Sequence, residues 1–452
     1  MIRLSPLVAF PMLLGGCSSP GPLAPGAAAS LELPARYDAT PYPTPQVTDS
    51  LLGLFSDSGL NAVVRRALAN NPDLRVSLAR FEEAGFNTRR TSAAFFPSLS
   101  GSASTSRSDS PAQPVTDTLS AALDARWELD VWGRIRAGMA AAAADQGAAA
   151  ADYESARQSI AAQTMQAWFE LVAAEKLVDL GRRQLESFES TQRLVARRFE
   201  LGTSRLGELE LARADTENVR ANLQQSLDDR DRAARLVRVL SGAYPDASIT
   251  TSRQWPSLDR SVPSGLPSDL LRMRPDIDAA YQRIRAADAR VKVAHADLFP
   301  SFGLTANGGR SSNKLPDLAR SSFDAWSLVA GLSAPLFDAG QRRAELGASG
   351  KRAEQASQAW RATVLEAFRE VEDALGSESY LRSQERARLA ALAAARNAES
   401  RTRRDFEAGV TEVLSLLVAQ RLVFNTEEGA IRLHKTRLQN RVRLALALGK
   451  GV

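Results

Sequence analysis

The sequence predicts a membrane protein of the α+β class, in which four β-strands per chain join long α-helices and the whole arrangement occurs twice. Three observations predict this class. Short motifs recur in the same order in both halves of the chain, and each half carries about ten residues that alternate between apolar and polar or small side chains. In addition, residues 134–198 contain no proline and are rich in helix-forming residues.

The composition limits the functional classes. The chain has 452 residues, of which 44% are hydrophobic and 24% charged, so it is too polar for a multi-pass helical membrane protein. It has 57 basic and 52 acidic residues, and the arginines are interleaved with acids along the whole chain, which argues against nucleic-acid binding. One cysteine and two histidines, His295 and His434, argue against a disulfide framework, a metal site and a Ser-His-Asp triad.

The N-terminus is predicted to direct export. Residues 1–16 combine Arg3 with a short apolar run, which is the pattern of a cleaved signal peptide. Leu14-Gly15-Gly16-Cys17 resembles the bacterial lipobox, so Cys17 is expected to carry a covalent lipid, and no other cofactor is expected. The alternative is an ordinary signal peptide followed by a chance buried cysteine. Residues 17–58 are rich in Pro, Gly, Ser and Ala and are interpreted as a lipidated N-terminal strap.

The chain is predicted to be an internal duplication. Asn71-Pro72-Asp73 recurs 203 positions later as Arg274-Pro275-Asp276, and Phe199-Glu200-Leu201-Gly202 recurs 207 positions later as Phe406-Glu407-Ala408-Gly409. The offset changes once along the chain, by four residues. This indicates two homologous halves that differ by one insertion or deletion.

Two structural repeats follow from this spacing. The first is placed at 59–242 and the second at 266–452, and the proline-rich stretch 243–265 is interpreted as a linker in the equatorial region. Each repeat is predicted to run in the order helix, two strands, long helix, return helix. In the first repeat, residues 60–94 are helix formers broken only at Asn71-Pro72, where a new helix can begin.

The predicted strands have one lipid-like face. Residues 119–129 and 326–336 alternate between apolar and polar or small side chains, and weaker partner strands are predicted at 99–107 and 302–310. About ten alternating residues with one apolar face are typical of a transmembrane β-strand. Two soluble hairpins packed on a core are the alternative. Because four strands cannot close a barrel, membrane strands here require oligomerisation, and three copies would supply about twelve.

The helices are predicted to run side by side along one long axis. Residues 134–198 would span about 100 Å at 1.5 Å per residue, and residues 204–240 carry an apolar or small stripe at spacings of three and four. The helix at 60–94 and the return helix together match the long helix in length, so they are expected to stack end to end beside it. The strands would then lie at one pole, Gly202 at the other and Gly242 near the middle.

Four further motifs carry a family resemblance. They are Trp127-Glu128-Leu129-Asp130-Val131-Trp132-Gly133-Arg134, Leu266-Pro267-Ser268-Asp269-Leu270-Leu271-Arg272-Met273-Arg274-Pro275-Asp276-Ile277, Ala294-His295-Ala296-Asp297-Leu298-Phe299-Pro300-Ser301 and Pro335-Leu336-Phe337-Asp338-Ala339-Gly340. With the lipobox and the duplication, the chain resembles the TolC-like outer-membrane factors, in the efflux lipoprotein branch of the OprM/NodT type. The resemblance implies a homotrimeric 12-stranded outer-membrane β-barrel, continued by a long periplasmic α-helical coiled-coil tunnel. It also implies a lipid-anchored location in the bacterial outer membrane, with the helices extending into the periplasm.

The resemblance assigns a docking role to two helix turns. The turns at 199–204 and 406–411 match those that dock on the hairpins of a periplasmic adaptor protein. The candidate docking residues are Gly202, Thr203, Gly409 and Val410. The alternative is that the two glycines are only helix caps.

The resemblance also suggests a pore gate. Leu414-Ser415-Leu416-Leu417-Val418-Ala419-Gln420 matches a family segment whose leucine and aspartate rings narrow the pore, although Val418 replaces the acid here. Leu414 and Val418, together with nearby Glu412, are therefore the candidate gate residues. The alternative is that Leu414 and Val418 pack between helices.

The function implied by the resemblance is that of a passive outer-membrane channel in a tripartite efflux system for small molecules and drugs. The expected partners are further copies of the chain in a homotrimer, a periplasmic adaptor, an inner-membrane pump of the resistance-nodulation-division type and outer-membrane lipid. The chain lacks a G-x-x-x-x-G-K-[ST] motif, so the energy is expected to come from the pump. The alternative is the outer-membrane channel of a type I protein secretion system. A poreless scaffold would not explain the strands, and an enzyme is not expected because no nucleophile–base pair stands out.

Overall fold

The computed structural model describes most of the chain. The described residues are 37–38, 46–47, 50–111, 113–258, 260–261, 267–316 and 324–451. The predicted signal peptide and the predicted acylation site Cys17 lie outside these residues, as does most of the predicted strap at 17–58.

Helices make up most of the described chain. In the first half they are α1 (Ser58–Asn70), α2 (Pro72–Ala93), α3 (Arg134–Glu200) and α4 (Leu206–Leu240). In the second half a 3₁₀ turn at Pro267–Asp269 precedes α5 (Leu270–Met273), α6 (Pro275–Ala296), α7 (Gln341–Glu407) and α8 (Val413–Ala447). Among the helices of the described residues, none combines the length and the apolar character needed to cross a membrane.

The long helices agree with the sequence prediction. Helices α3 and α7 each contain 67 residues, or about 100 Å at 1.5 Å per residue. The predicted break at Asn71-Pro72 is confirmed, since α2 begins with the proline, where no intrahelical N–H bond is lost. The return helix begins at Leu206 rather than at the predicted Ser204. The predicted stripe is confirmed by its buried members Leu209, Ala212, Thr216, Val219, Leu223, Ala233 and Val237.

The two shorter helices of the first half meet end to end beside α3, as predicted. Helices α2 and α4 both pack on α3. The Asn71 side chain joins them, because its oxygen accepts from the Leu74 N–H to cap α2 and its nitrogen donates to the Leu240 carbonyl at the end of α4, at 3.0 Å. One side chain thus satisfies backbone groups at the facing ends of two helices.

The same joint recurs in the second half with an arginine. The Arg274 guanidinium donates to the Ala447 carbonyl at the end of α8, at 3.0 Å, and also binds the carboxylates of Asp276 at 2.7 Å and Glu370 at 2.6 Å. Position 274 corresponds to position 71 in the duplication. The repeated motif therefore marks the places where two stacked helices are joined.

Gly242 is expected to be the least replaceable glycine of the first joint. It has a φ of +69°, and a Cβ atom added there would clash with the Asn70 carbonyl oxygen. Gly242→Ala should therefore lower the free energy of unfolding by about 3 kcal/mol, from left-handed strain and a backbone clash. Gly202→Ala is the matched control, because Gly202 has a φ of +76° but nothing within 4 Å of the added atom. Equal losses in urea unfolding of the two variants would contradict the clash.

Part of the predicted strap belongs to the core. The short strand β1 (Gln46–Val47) pairs in parallel with β4 (Arg260–Ser261) of the linker. Further along the chain, Leu51, Leu54 and Phe55 are almost completely buried in the main apolar core, and the Phe55 ring meets the Phe169 ring of α3 edge to face at 5.0 Å. The strap interpretation therefore missed a segment that fills the core beside the helix joint.

The remaining strands form one antiparallel sheet. They are β2 (Ser98–Ser110), β3 (Gln113–Leu129), β5 (Ser301–Ser312) and β6 (Asp324–Ser333), in the order β2-β3-β5-β6. The first three are longer than predicted. Within the single chain, the strand predicted at 326–336 ends earlier, because the ladder stops at Ser333, which pairs with the first residue of β5.

The register places most of the apolar side chains of the four strands on one face, although Val329 lies on the other face, opposite Thr305. Directly opposed residues of an antiparallel sheet point to the same side, and Gly101, Leu123, Gly308 and Trp326 oppose one another in one line across the sheet. The same face carries Leu99, Ala103, Ala121, Ala125, Trp127, Phe302, Leu304, Ala306, Leu328, Ala330 and Leu332, together with one ion pair between Arg310 and Asp324.

The other face of the sheet is polar. It carries Ser100, Ser102, Ser104, Ser120, Asp124, Arg126, Glu128, Thr305, Asn307 and Ser327. On it, the Asn307 amide donates to the Asp124 carboxylate at 2.7 Å. The apolar face is not covered by this chain, since Trp326 is 83% exposed and Leu328 is 62% exposed. This arrangement contradicts the alternative of two soluble hairpins packed on a core.

Candidate functional site

Two equivalent turns lie at the ends of the helix pairs. Helix α3 closes at Gly202, with a φ of 76°, and α7 closes at Gly409, with a φ of 78°. The N–H of Thr203 binds the Arg198 carbonyl and the N–H of Val410 binds the Asp405 carbonyl, both at 2.8 Å, as in a Schellman cap. The glycines are therefore helix caps, and all four candidate docking residues are exposed, Val410 by 78%.

Arg198 connects the two turns. Its guanidinium lies 4.2 Å from the centre of the Phe406 ring and donates to the carbonyls of Phe406 and Glu407, the latter at 3.3 Å. These carbonyls form the C-terminal end of α7, which carries partial negative charge. Sequence reasoning missed this residue, because an arginine in the last turn of a helix is common whether or not it reaches a second helix.

An acidic residue lies at the start of each return helix, Glu208 in α4 and Glu412 before α8. In the first turn, the Ser204 hydroxyl and the Arg205 N–H donate to the Glu208 carboxylate, and these bonds hold the pKa of Glu208 below its ordinary value. In the second turn, Glu412 is the exposed N-cap residue of α8. Each turn therefore carries a carboxylate near the start of its return helix.

The candidate gate residues lie on one exposed face of α8. Leu414 and Val418 are 50% and 53% exposed, and Leu422, one turn further on, is 53% exposed. Residues four apart share a helix face, so the three form a stripe that we call the α8 apolar stripe. Leu416 and Leu417 of the same helix are buried instead. Within one chain, Leu414 and Val418 therefore do not pack between helices, and the sequence search missed Leu422.

At the offset of 207, the α4 residues equivalent to the α8 apolar stripe are Gly207, Leu211 and Asp215. Leu211 is partly buried against the apolar cluster of this end, and Asp215 carries a charge, so α4 has no exposed apolar stripe at these positions. The two halves of the chain thus share a backbone plan but differ on this surface. An apolar constriction built from this region would come from the second half.

Polar contacts hold α8 against the long helices behind the stripe. The buried Gln420 amide donates to the hydroxyls of Ser187 and Thr191 in α3, both at 3.0 Å. Glu427 binds Arg183 of α3 at 2.6 Å and Arg396 of α7 at 2.7 Å. Burial alone would raise the pKa of Glu427, but these two arginines outweigh it and keep the pKa below its ordinary value.

An ion pair also joins the two return helices. Arg421 of α8 lies 3.1 Å from Asp215 of α4, and the Asp215 side chain is only 13% exposed. Arg421 immediately precedes Leu422 of the α8 apolar stripe in the sequence. The sequence did not reveal it, because Asp215 and Arg421 are brought together only by the packing of the two halves.

This end of the molecule combines exposed apolar side chains with ion pairs. Within the part of the chain that the structure describes, no group of three or more His, Cys, Asp or Glu side chains could hold a metal ion. Apolar rings at a narrow point can close a pore by excluding water. The α8 apolar stripe has the composition for such a constriction.

Comparison with known proteins identifies relatives over most of the chain. The family described as outer membrane efflux protein matches residues 63–243 and 266–450. The outer membrane protein OprJ of Pseudomonas aeruginosa is 31% identical over 87% of this chain and 85% of its own. The cation efflux system protein CusC of Escherichia coli K12 is 28% identical over 88% of each chain. Among solved structures, the open state of the MtrE outer membrane channel of Neisseria gonorrhoeae has a TM-score of 0.84 at 26% identity, covering 93% of this chain and 96% of that chain.

These findings confirm the predicted fold class, that of the trimeric outer-membrane efflux channels with a barrel, a helical tunnel and an internal duplication. They also confirm the predicted outer-membrane location, with extension into the periplasm, and the predicted function as an efflux channel. The names of these relatives do not support the alternative of protein secretion. Because the family match covers both halves of the sequence, the chain belongs to the outer membrane efflux protein family.

Proposed function

We propose that three copies of the chain form a passive conduit that carries small molecules from an inner-membrane pump to the exterior. The sheet carries this proposal, because its apolar face is suited to lipid and its polar face to a water-filled lumen. Among the described residues, its two outer strands, β2 and β6, each have one unpaired edge, and such edges cannot face lipid. Further copies must therefore cover them.

The partners of this conduit follow from the opposite end. The turns at Gly202 and Gly409 lie on the surface. Each presents an apolar side chain to solvent, Leu201 in the first turn, which is 73% exposed, and Val410 in the second. We propose that they bind a periplasmic adaptor, which connects the conduit to a pump of the resistance-nodulation-division type. Relatives named for cation efflux and antibiotic efflux support small molecules as the cargo. The chain itself performs no catalysis in this scheme, since the pump supplies both energy and selection.

Bulk at the second turn should interrupt the adaptor contact. Gly409→Trp is expected to lower drug resistance about tenfold or more in a strain that depends on this channel, because an indole would occupy the open surface of the turn. Gly409→Ala is the control, since it shares the strained φ but adds little bulk, and it should lose much less. Trimers must persist in both variants, as checked by native mass spectrometry. Full resistance with Gly409→Trp and with the double variant Gly202→Trp/Gly409→Trp would rule out docking at these turns.

We further propose that the α8 apolar stripe forms the closing constriction. Three-fold symmetry would repeat Leu414 and Val418 around one axis, with Glu412 charging the entrance. Replacing both Leu414 and Val418 with serine should wet the constriction and raise single-channel conductance severalfold in planar bilayers. Leu206→Ser is the matched control, because Leu206 is 56% exposed on the first return helix and should leave conductance unchanged. Wild-type conductance in stable trimers of the double variant would place the seal elsewhere.

The N-terminal anchor belongs to the same proposal. Cleavage before Cys17 followed by acylation would tether the chain to the outer membrane in addition to the barrel strands. The intact mass of the mature protein tests this, and an unmodified N-terminus or cleavage at another residue would contradict it.

A further inference from the structure

The outer strands of the sheet are β2 and β6. Because the two halves of the chain are equivalent, a pairing between β6 and β2 of another copy would be equivalent to the pairing between β3 and β5 within the chain. Within the chain, the junction between the two halves of the sheet is the ladder between β3 and β5, with Leu129 opposite Phe302 as its last pair. The equivalent junction at the other end of the sheet would join β6 to β2 of a second copy. The ladder inside the chain is therefore a template for the contact between chains.

The hairpins show how closely the sheet obeys the duplication. Ser98, the first residue of β2, lies opposite Arg126 in β3. The equivalent residues of the second half, Ser301 and Ser333, also lie opposite each other. The two hairpins thus have the same register. This agreement justifies transferring the register of the β3·β5 ladder to the β6·β2 contact.

One stretch of backbone is paired in the first half and unpaired in the second. Strand β3 continues past the beginning of β2, and its last residues, Trp127–Leu129, pair with β5 alone. The equivalent residues, Ala334–Leu336, continue past the beginning of β5 and belong to no strand in the single chain. Leu336 and the following Phe337 are 94% and 91% exposed. The sequence pattern nevertheless continues its alternation through Leu336.

We propose that the next copy of the chain completes β6, with Ala334–Leu336 pairing antiparallel to Leu99–Gly101 of that copy and Leu336 lying directly opposite Leu99. The proposal rests on the three-fold assembly of the proposed function and specifies its register. It also accounts for the ladder ending at Ser333 in a single chain, since the backbone that would pair with the next residues is on another molecule.

The proposed register keeps the apolar face continuous around the barrel. Leu336, Ala334 and Leu332 would oppose Leu99, Gly101 and Ala103 of the next copy, so that each pair lies on the lipid side. A slip by one residue would turn polar side chains toward lipid and is excluded on that ground. A slip by two residues would preserve the faces, with Ala334 opposite Leu99. Pro335 lacks an N–H group, which strands tolerate near their ends and edges.

Cysteine cross-linking separates the two registers that preserve the faces. The first double variant is Leu99→Cys/Leu336→Cys and the second is Leu99→Cys/Ala334→Cys. The two variants share the cysteine at 99 and differ only in the site of the second cysteine. Directly opposed Cα atoms are about 4.5–5.5 Å apart and can be bridged, whereas diagonal pairs at about 7–8 Å exceed the reach of a disulfide. After mild oxidation, the first variant should give covalently linked chains, at about tenfold higher yield than the second. The three single variants, which keep Cys17, are controls for unrelated disulfides.

Each outcome has a definite meaning. A higher yield from the Leu99→Cys/Ala334→Cys variant would show a slip by two residues and overturn the proposal. No cross-link in either variant, with trimers intact, would show that Leu99 lies opposite neither Leu336 nor Ala334 and would also overturn the proposal. Absence of trimers for the wild-type chain in native mass spectrometry would instead overturn the proposed assembly itself, and this proposal with it.

Hydrogen–deuterium exchange tests the pairing without any substitution. In wild-type trimers the amide of Leu336 should exchange slowly, like the amides of β5, although it belongs to no ladder within one chain. Exchange at the rate of an open loop would contradict the proposal.

Discussion

Replacing Leu328 with arginine is expected to prevent stable insertion of the channel into the outer membrane. Leu328 lies in the middle of β6 on the apolar face, opposite Ala306, and is 62% exposed in the single chain. An arginine that faces lipid near the bilayer midplane costs roughly 2–4 kcal/mol per chain, and a trimer carries three of them. The fraction of heat-resistant trimer in outer-membrane preparations should therefore fall to a small part of the wild-type value.

Ser327→Arg is the matched control for this prediction. Ser327 is the neighbouring residue of the same strand, and it lies opposite Asn307 on the polar face. An arginine there would point into water, so trimer yield should stay close to that of the wild type. Equal loss in the two variants would mean that the sheet does not present its apolar face to lipid.

Replacing Glu378 with glutamine is expected to destabilise the helical part strongly. Glu378 of α7 is 7% exposed and accepts hydrogen bonds from Arg441 at 2.8 Å and Arg437 at 3.2 Å, both in α8. Removing one member of a buried ion pair leaves the opposite charge poorly compensated and costs about 3–5 kcal/mol. The urea midpoint of the trimer should shift downward accordingly.

Glu366→Gln provides the comparison on the same helix. Glu366 pairs with Arg369 three residues later, but both side chains are more than half exposed to solvent. An exposed pair of this kind contributes about 1 kcal/mol or less. Similar midpoints for Glu378→Gln and Glu366→Gln would mean that the buried network between α7 and α8 is not a major source of stability.

Local sequence determined most of the secondary structure. Proline at position 72 ended one helix and began the next, because a proline lacks the N–H that a helix interior needs. The alternation in residues 119–129 fixed which side chains share a face, since the side-chain period of a strand is two. Glycines 202 and 409 marked the turns, because left-handed backbone favours glycine. These features depend on neighbouring residues, and the sequence contains all of that information.

Contacts between distant segments were decided only by the tertiary structure. The sequence did not indicate that Leu51, Leu54 and Phe55 would fill the core, because they lie beside a Pro- and Gly-rich segment and their partners, such as Phe169, are more than a hundred residues away. It also did not distinguish the buried Glu378 from the many exposed acids interleaved with arginine on the same helix.

The end of β6 shows the difference most clearly. The sequence pattern continues to Leu336, but the ladder of the single chain stops at Ser333, where β5 begins. A pattern of side chains establishes which face a residue prefers, whereas a strand exists only where another backbone supplies hydrogen bonds. The sequence by itself therefore determined the repeats, the faces and the turns of this channel, and the tertiary structure decided which segments meet, because pairing depends on which backbone and side-chain partners lie within reach.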